Sequence, residues 1–145
     1  MYKSIALTLL LSLPLNLSLV GYGEDLNHLQ QLLSTRQCPQ CDLSGSGLVQ
    51  SNLTGAKLNG ANLVGANLSQ ANFQAARMNH ADLRRANLSG VNFSEAYLVD
   101  AFFARANLTG ADLSNANLTG AELMSANLMG VNFRGAIMPD GRINN

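Results

Sequence analysis

The chemistry-bearing residues of this chain are few, and the first to weigh are Cys38 and Cys41, its only cysteines, set as Cys-Pro-Gln-Cys. That spacing suits a thioredoxin-like redox pair, but no βαβ pattern surrounds it. A zinc site would need two more ligands, and only His28 lies near in sequence. A protein that meets an oxidising compartment forms a structural disulfide by default. Closing so short a loop contributes only about 2 kcal/mol in the chain-entropy picture. The bond's larger task would be to fix the angle between the segments on either side. Two free thiols are the remaining alternative. No metal and no other cofactor is expected.

A second candidate is His80 with Asp100, twenty residues apart. An ion pair between them is reasonable. A catalytic dyad is not, because no nucleophile or oxyanion donor accompanies it. The third candidate is a group of apolar and basic residues in an otherwise polar pattern: Tyr97, Val99, Phe102, Ala104 and Met124, bordered by Arg84, Arg85 and Arg105. Aromatics with arginine on a surface of Asn, Ser and Gly suggest a protein-contact patch. The alternative is surface drift in a repetitive sequence.

What must position these residues is a repeat. From Cys41 to Asp140 the sequence has a period of five, twenty units without an insertion. With the central residue in third place, as in Ala61-Asn62-Leu63-Val64-Gly65, the third places hold fourteen Leu, four Phe and two Met. The first places hold fifteen Ala, the second ten Asn and three Asp, and the fifth nine Gly. Five is neither the helical period nor the simple strand period. Within a unit, though, places one and three lie two apart, so in an extended segment both point inward. The fifth place then lets the chain turn. No unit can bury its own leucine, so units must coil and stack as a solenoid. Phe73, Phe93 and Phe133 recur at multiples of twenty, as do Val91 and Val131, and Met78 and Met138. Four sides per coil, and so about five coils, follow. At the spacing of stacked strands, about 4.8 Å per layer, the rod is about 24 Å long.

The units Ala66-Asn67-Leu68, Ala81-Asp82-Leu83 and Ala111-Asp112-Leu113 resemble the pentapeptide-repeat family. The resemblance implies an all-β fold, the right-handed quadrilateral parallel β-helix of that family, with first and third residues inside. It also implies a short list of roles, of which the best understood is DNA mimicry by proteins that protect or inhibit topoisomerases. Family dimers meet through their C-terminal coils, so a homodimer through that end is expected here, unless the tail from Pro139 to Asn145, with 141–145 beyond the last unit, folds over it.

Residues 1–23 differ from the rest. Lys3 is followed by a run of about sixteen mostly apolar residues, short for a membrane span of roughly twenty. Gly21 and Gly23 have the small-residue spacing read by a signal peptidase, so a secretory signal cleaved before Glu24 is expected. An uncleaved anchor is the alternative. Residues 24–40 read as a helical cap followed by the cysteine junction, with Leu26, Leu29, Leu32 and Leu33 on one stripe. Asp25 would be the N-cap, and Arg36 would sit in the last helical turn.

Composition narrows function further. Leu, Ala, Asn and Gly supply 26, 18, 17 and 13 of the 145 residues, and nine basic side chains balance nine acidic ones. That balance argues against nucleic acid as a partner. The repeat itself holds six basic and seven acidic residues, too even for a DNA mimic. The reading is an exported, non-enzymatic structural or protein-interaction module with an unidentified protein partner and no membrane attachment once the signal is gone. Its compartment would be the periplasm, or the thylakoid lumen in a cell with thylakoids. The alternative is a DNA-mimicking regulator of a topoisomerase.

Overall fold

The computed structural model describes residues 26–145; the leader expected at 1–23 and the helix cap expected at Asp25 lie outside the described residues. Helix α1 spans Leu26–Thr35 and buries Leu29 and Leu32. It ends one residue before Arg36, which takes a left-handed φ of 56° while its amide donates to the Leu32 carbonyl. Arg36 therefore lies outside the helix, because the chain must turn there into the first side of the coil.

From that point every second-place residue forms a parallel bridge with the residue twenty further on: Asp42 with Asn62, Gly47 with Asn67, Asn52 with Asn72, Lys57 with Arg77, and onward. Four such columns make a right-handed quadrilateral β-helix. We call its sides face 1 (units starting at 36, 56, 76, 96, 116 and 136), face 2 (from 41), face 3 (from 46) and face 4 (from 51). The first side is Arg36–Gln40, not Cys41–Gly45. Gln37 bridges Lys57, the Cys38 amide donates to the Lys57 carbonyl, and Gln40 has a φ of 58°. Cys38 thus fills a third place and Cys41 a first place, which the composition of 36–40 concealed.

Nearly every backbone amide in the coil has an assigned partner. A second-place amide donates to the coil before, as Asn62 to Cys41; third- and fifth-place amides donate to the coil after, as Leu63 to Asp82 and Gly65 to Arg84. The first-place amide closes the corner by donating to the third-place carbonyl three residues back, as Ala66 to Leu63. The fifth place sits inside that turn with positive φ, the pattern of a type II turn, in glycine and non-glycine residues alike.

The fourth-place amide remains, and the second-place side chain takes it. All thirteen Asn and Asp residues at second places accept this N–H through Oδ1, at 2.9–3.3 Å. This Asx turn explains the Asn-rich second place. Amide-to-amide ladders between layers are the lesser part: Asn87 donates to Asn67 and Asn107 to Asn87, while in the next column only Asn132 to Asp112 is formed. Pro39 and Pro139 stand after Gln37 and Ile137, second-place residues that make no Asx turn, and need none because proline has no N–H.

The interior is filled. Leu63, Leu68, Met78, Leu83, Leu88 and Leu98 are fully buried. Phe73 and Phe93 stack 5.3 Å apart in one column, and Phe103, on the opposite face, meets Phe93 edge-on at 6.4 Å. The two ends differ. At the N-terminal end α1 supplies polar partners to the open coil edge: His28 Nδ1 accepts the Asp42 amide, Gln31 Nε2 donates to the Gln37 carbonyl, and Thr35 Oγ1 accepts the Gln37 amide. At the other end the tail folds back antiparallel, pairing Ile143 with Ile137 and Asn144 with Gly135 and Ala136. That covers only part of the end. Met124, Leu128 and Met129 stay exposed on faces 2 and 3.

Candidate contact surface

The four faces share a backbone and differ in what they display. Face 4 keeps Asn or Asp at every second place, and face 3 departs only at Gly47 and carries no charged side chain. Face 1 departs at Gln37, Lys57, Arg77, Tyr97 and Ile137, and face 2 at Phe102 and Glu122. All the outward-facing aromatic residues of the repeat, and all its arginines but Arg134, therefore lie on two adjacent faces.

The candidate residues divide among three positions. Tyr97 stands on face 1, 49% exposed, directly over Arg77 in its column, and Val99 beside it is half-buried. Phe102 is on face 2 between Asp82 and Glu122 and is half-buried, less open than the repeat pattern implied. Met124, 73% exposed, stands on face 2 one layer beyond Ala104, its carbonyl accepting the Arg105 amide, and lies at the open C-terminal end with Leu128 and Met129. Arg85 and Arg105 are exposed at one corner, a layer apart, with the Arg85 amide donating to Ala104. Arg84 is not free: its Nε and Nη2 grip both carboxylate oxygens of Asp82, the closest contact being 2.6 Å. Partial burial would raise the Asp82 carboxyl, but the Arg84 side chain and amide outweigh it and hold it below the ordinary carboxylate value. Asp42 is also held low, first by its bond with Ser44. His80 Nδ1 lies 3.7 Å from Asp100 Oδ2, both largely exposed, and forms the expected pair. Cys38 and Cys41 are bonded to each other, buried beneath α1, with Cα atoms 5.3 Å apart. Among the described residues no cluster of His, Cys, Asp or Glu could hold a metal ion, and no helix is long and apolar enough to cross a membrane.

Two residues on face 1 escaped the sequence reading. Where Arg77 and Tyr97 displace the usual Asn, the orphaned fourth-place amides find another acceptor. Asn59 Oδ1 accepts the Asn79 amide and Asn79 Oδ1 accepts the Val99 amide, each at 3.1 Å and each from the coil below. Asn at two consecutive fourth places of one column was the visible signal. Face 2 has no such substitute: the Ala104 and Met124 amides, after Phe102 and Glu122, bond to nothing in the described residues, as also holds for Asn59 after Lys57 and Val49 after Gly47.

The model of the pentapeptide repeats matches this sequence in eight copies, spanning residues 40–74, 51–90, 66–103 and 86–123. The chain belongs to the pentapeptide-repeat family. A crystal structure of a pentapeptide repeat protein from the thylakoid lumen of Arabidopsis thaliana is similar, with a TM-score of 0.58 at 29% identity, covering 79% of this chain and 74% of that one. A pentapeptide repeat protein, Rfr23, from the cyanobacterium Cyanothece 51142 is 28% identical over 74% of this chain and 93% of its own, with a TM-score of 0.37. QnrB1, a plasmid-mediated fluoroquinolone resistance protein, is 20% identical over 69% of this chain and 62% of its own, at a TM-score of 0.32. No curated protein matches the sequence. The family is in general a structural repeat fold rather than an enzymatic one.

Proposed function

We propose that the chain is an exported, non-catalytic interaction module whose partner docks on faces 1 and 2. The observation that carries this is the relocated acceptor on face 1. Asn59 and Asn79 keep the Asn79 and Val99 amides bonded, while the second places that precede those amides display Arg77 and Tyr97. Surface drift removes an acceptor; it does not by itself place a substitute in the coil below. Export is supported by the leader pattern of residues 1–23 and by the similarity to a thylakoid-lumen protein. A thylakoid lumen or a periplasm suits a disulfide between Cys38 and Cys41. Nothing favours DNA mimicry: six basic residues nearly balance seven acidic ones in the repeat, and face 3 carries no charge at all. The open end at Met124, Leu128 and Met129 is where a second copy would meet the first, as a two-fold dimer.

Photo-crosslinking tests the reading in the cell. A benzophenone amino acid at position 97 should capture a defined partner in the exported fraction, and one at position 89 on face 3 should not. Equal capture at both positions, or at neither, would overturn it. In the same fraction both cysteines should resist alkylation, and the N-terminus should be Glu24.

A further inference from the structure

Resting on that reading, we infer that the N-terminal half of face 1, where Arg36, Lys57 and Arg77 occupy successive layers below Tyr97, docks an acidic segment of the partner protein. Lys57 and Arg77 are bridged neighbours in one column. Their backbones are therefore about 4.8 Å apart, and like charges so placed repel. Neither has a carboxylate within 4.0 Å among the described residues. The fold does not need these cations: on face 4 the same places hold Asn72 and Asn92, each making its Asx turn. Repulsion inside the free protein is relieved when an anion lies between the two charges.

The geometry names the anion. Two cations one layer apart can share a single carboxylate, and the planar Arg77 fork can bind it through two donors. Tyr97, one layer further, offers a half-exposed ring and a hydroxyl, the amphipathic anchor that protein interfaces use. No carboxylate stands on this face before Asp100, and the acids of face 2 nearest to it are engaged, Asp82 by Arg84 and Asp42 by Ser44. A nucleic acid fits less well. The cationic column is only two layers long, with Arg36 beside its start, and Glu95 and Asp100 flank Tyr97 at both corners, where a continuing phosphate chain would be repelled.

The test is a titration of the isotope-labelled protein, purified from an exporting host, followed by amide chemical shifts. The probes are the peptide Glu-Glu-Phe-Glu-Glu, its Lys-Lys-Phe-Lys-Lys counterpart, and a short DNA duplex. The acidic peptide should shift the amides around Lys57, Arg77 and Tyr97 saturably, and the basic peptide should not. The double variant Lys57→Glu/Arg77→Glu should weaken binding at least about tenfold, and salt at about 0.5 M should do the same by screening. Because both side chains point outward, the rest of the spectrum should not change. Shifts centred on Arg85 and Arg105, insensitivity to the charge reversal, no saturable shift, or a stronger response to DNA would each overturn the inference. Failure here with successful crosslinking at position 97 would reject the acidic partner while leaving the interaction module standing.

Discussion

Faces 3 and 4 differ from faces 1 and 2 in what the second place does. On face 4, and on face 3 beyond Gly47, it is structural: each Asn or Asp spends its Oδ1 on a fourth-place amide, and little is left for a partner to read. On face 1 that duty has moved to Asn59 and Asn79. On face 2, at Phe102 and Glu122, it has lapsed, leaving two amides without an acceptor among the described residues. Beneath them the third places stay large and apolar on all four sides, all Leu on face 3 and Phe73 and Phe93 among them on face 4. A solenoid can therefore specialise one surface without touching its interior, provided each corner keeps its hydrogen bonds.

The largest test is whether the core is indifferent to face. Leu88→Ala on face 3 and Leu98→Ala on face 1 should each cost about 2–5 kcal/mol through the cavity left behind. Leu88→Arg should abolish folding, whereas Ser89→Arg, one residue on, should leave the thermal midpoint nearly unchanged. If the two arginine variants melted alike, the inward assignment of the third place would be wrong.

The next effect addresses the relocated acceptor. Asn92→Ala and Asn79→Ala should each lower stability by about 1 kcal/mol, although they occupy different places in the unit, because each strands one amide. With Tyr97→Asn as background, Asn79→Ala should become harmless, since the asparagine introduced at that second place would cap the Val99 amide itself. Urea denaturation of the four proteins in that cycle measures the coupling. Additive losses would mean that Asn79 is not the substitute.

Smaller changes are expected at the fifth place, which does not distinguish the faces. Arg105 has a φ of 62° and Gly65 a φ of 66° with nothing within 4 Å of an added Cβ. Arg105→Gly should relieve strain and raise stability, and Gly65→Ala should lower it, each by about 1 kcal/mol or less. Opposite shifts in calorimetry would confirm that backbone conformation alone decides.

The smallest effect is in pH. The Asp82 and Asp42 carboxyls are held below their ordinary values, so their contribution is fully present above the unfolded-state value of about 3.9 and fades as pH falls below it. Asp82→Asn should flatten the acid limb of the stability profile, and a double variant with Asp42→Asn should flatten it further. An unchanged acid limb would mean these pairs are screened to nothing.

The coil was legible in the sequence because its period is unbroken over twenty units, and columns twenty apart could be read from Phe73, Phe93 and Phe133. The first side at Arg36–Gln40 was not, since cysteine replaces the central leucine and arginine the alanine. The contact residues were half legible. Tyr97 and Phe102 stood out by type. Lys57, Arg77, Asn59 and Asn79 did not, because their meaning lies in a hydrogen bond between coils, which exists only once the register is known. Met124 stood out by type as well, and its place in the last coil sets it at the open end.

The register of twenty also makes the molecule an indexed object. Each residue has an address, a face and a layer, and the two change independently. Inserting twenty residues would lengthen the rod and leave every face intact. Deleting one unit, such as Ala86–Gly90, would still give a filled coil, but everything beyond it would rotate by a quarter turn about the axis. Phe102 would then stand over Arg77, and Tyr97 would move round to join face 4. In this architecture small length changes act on the surface as rotations, so a partner that reads one face is blind to added coils and loses its site to a single missing corner.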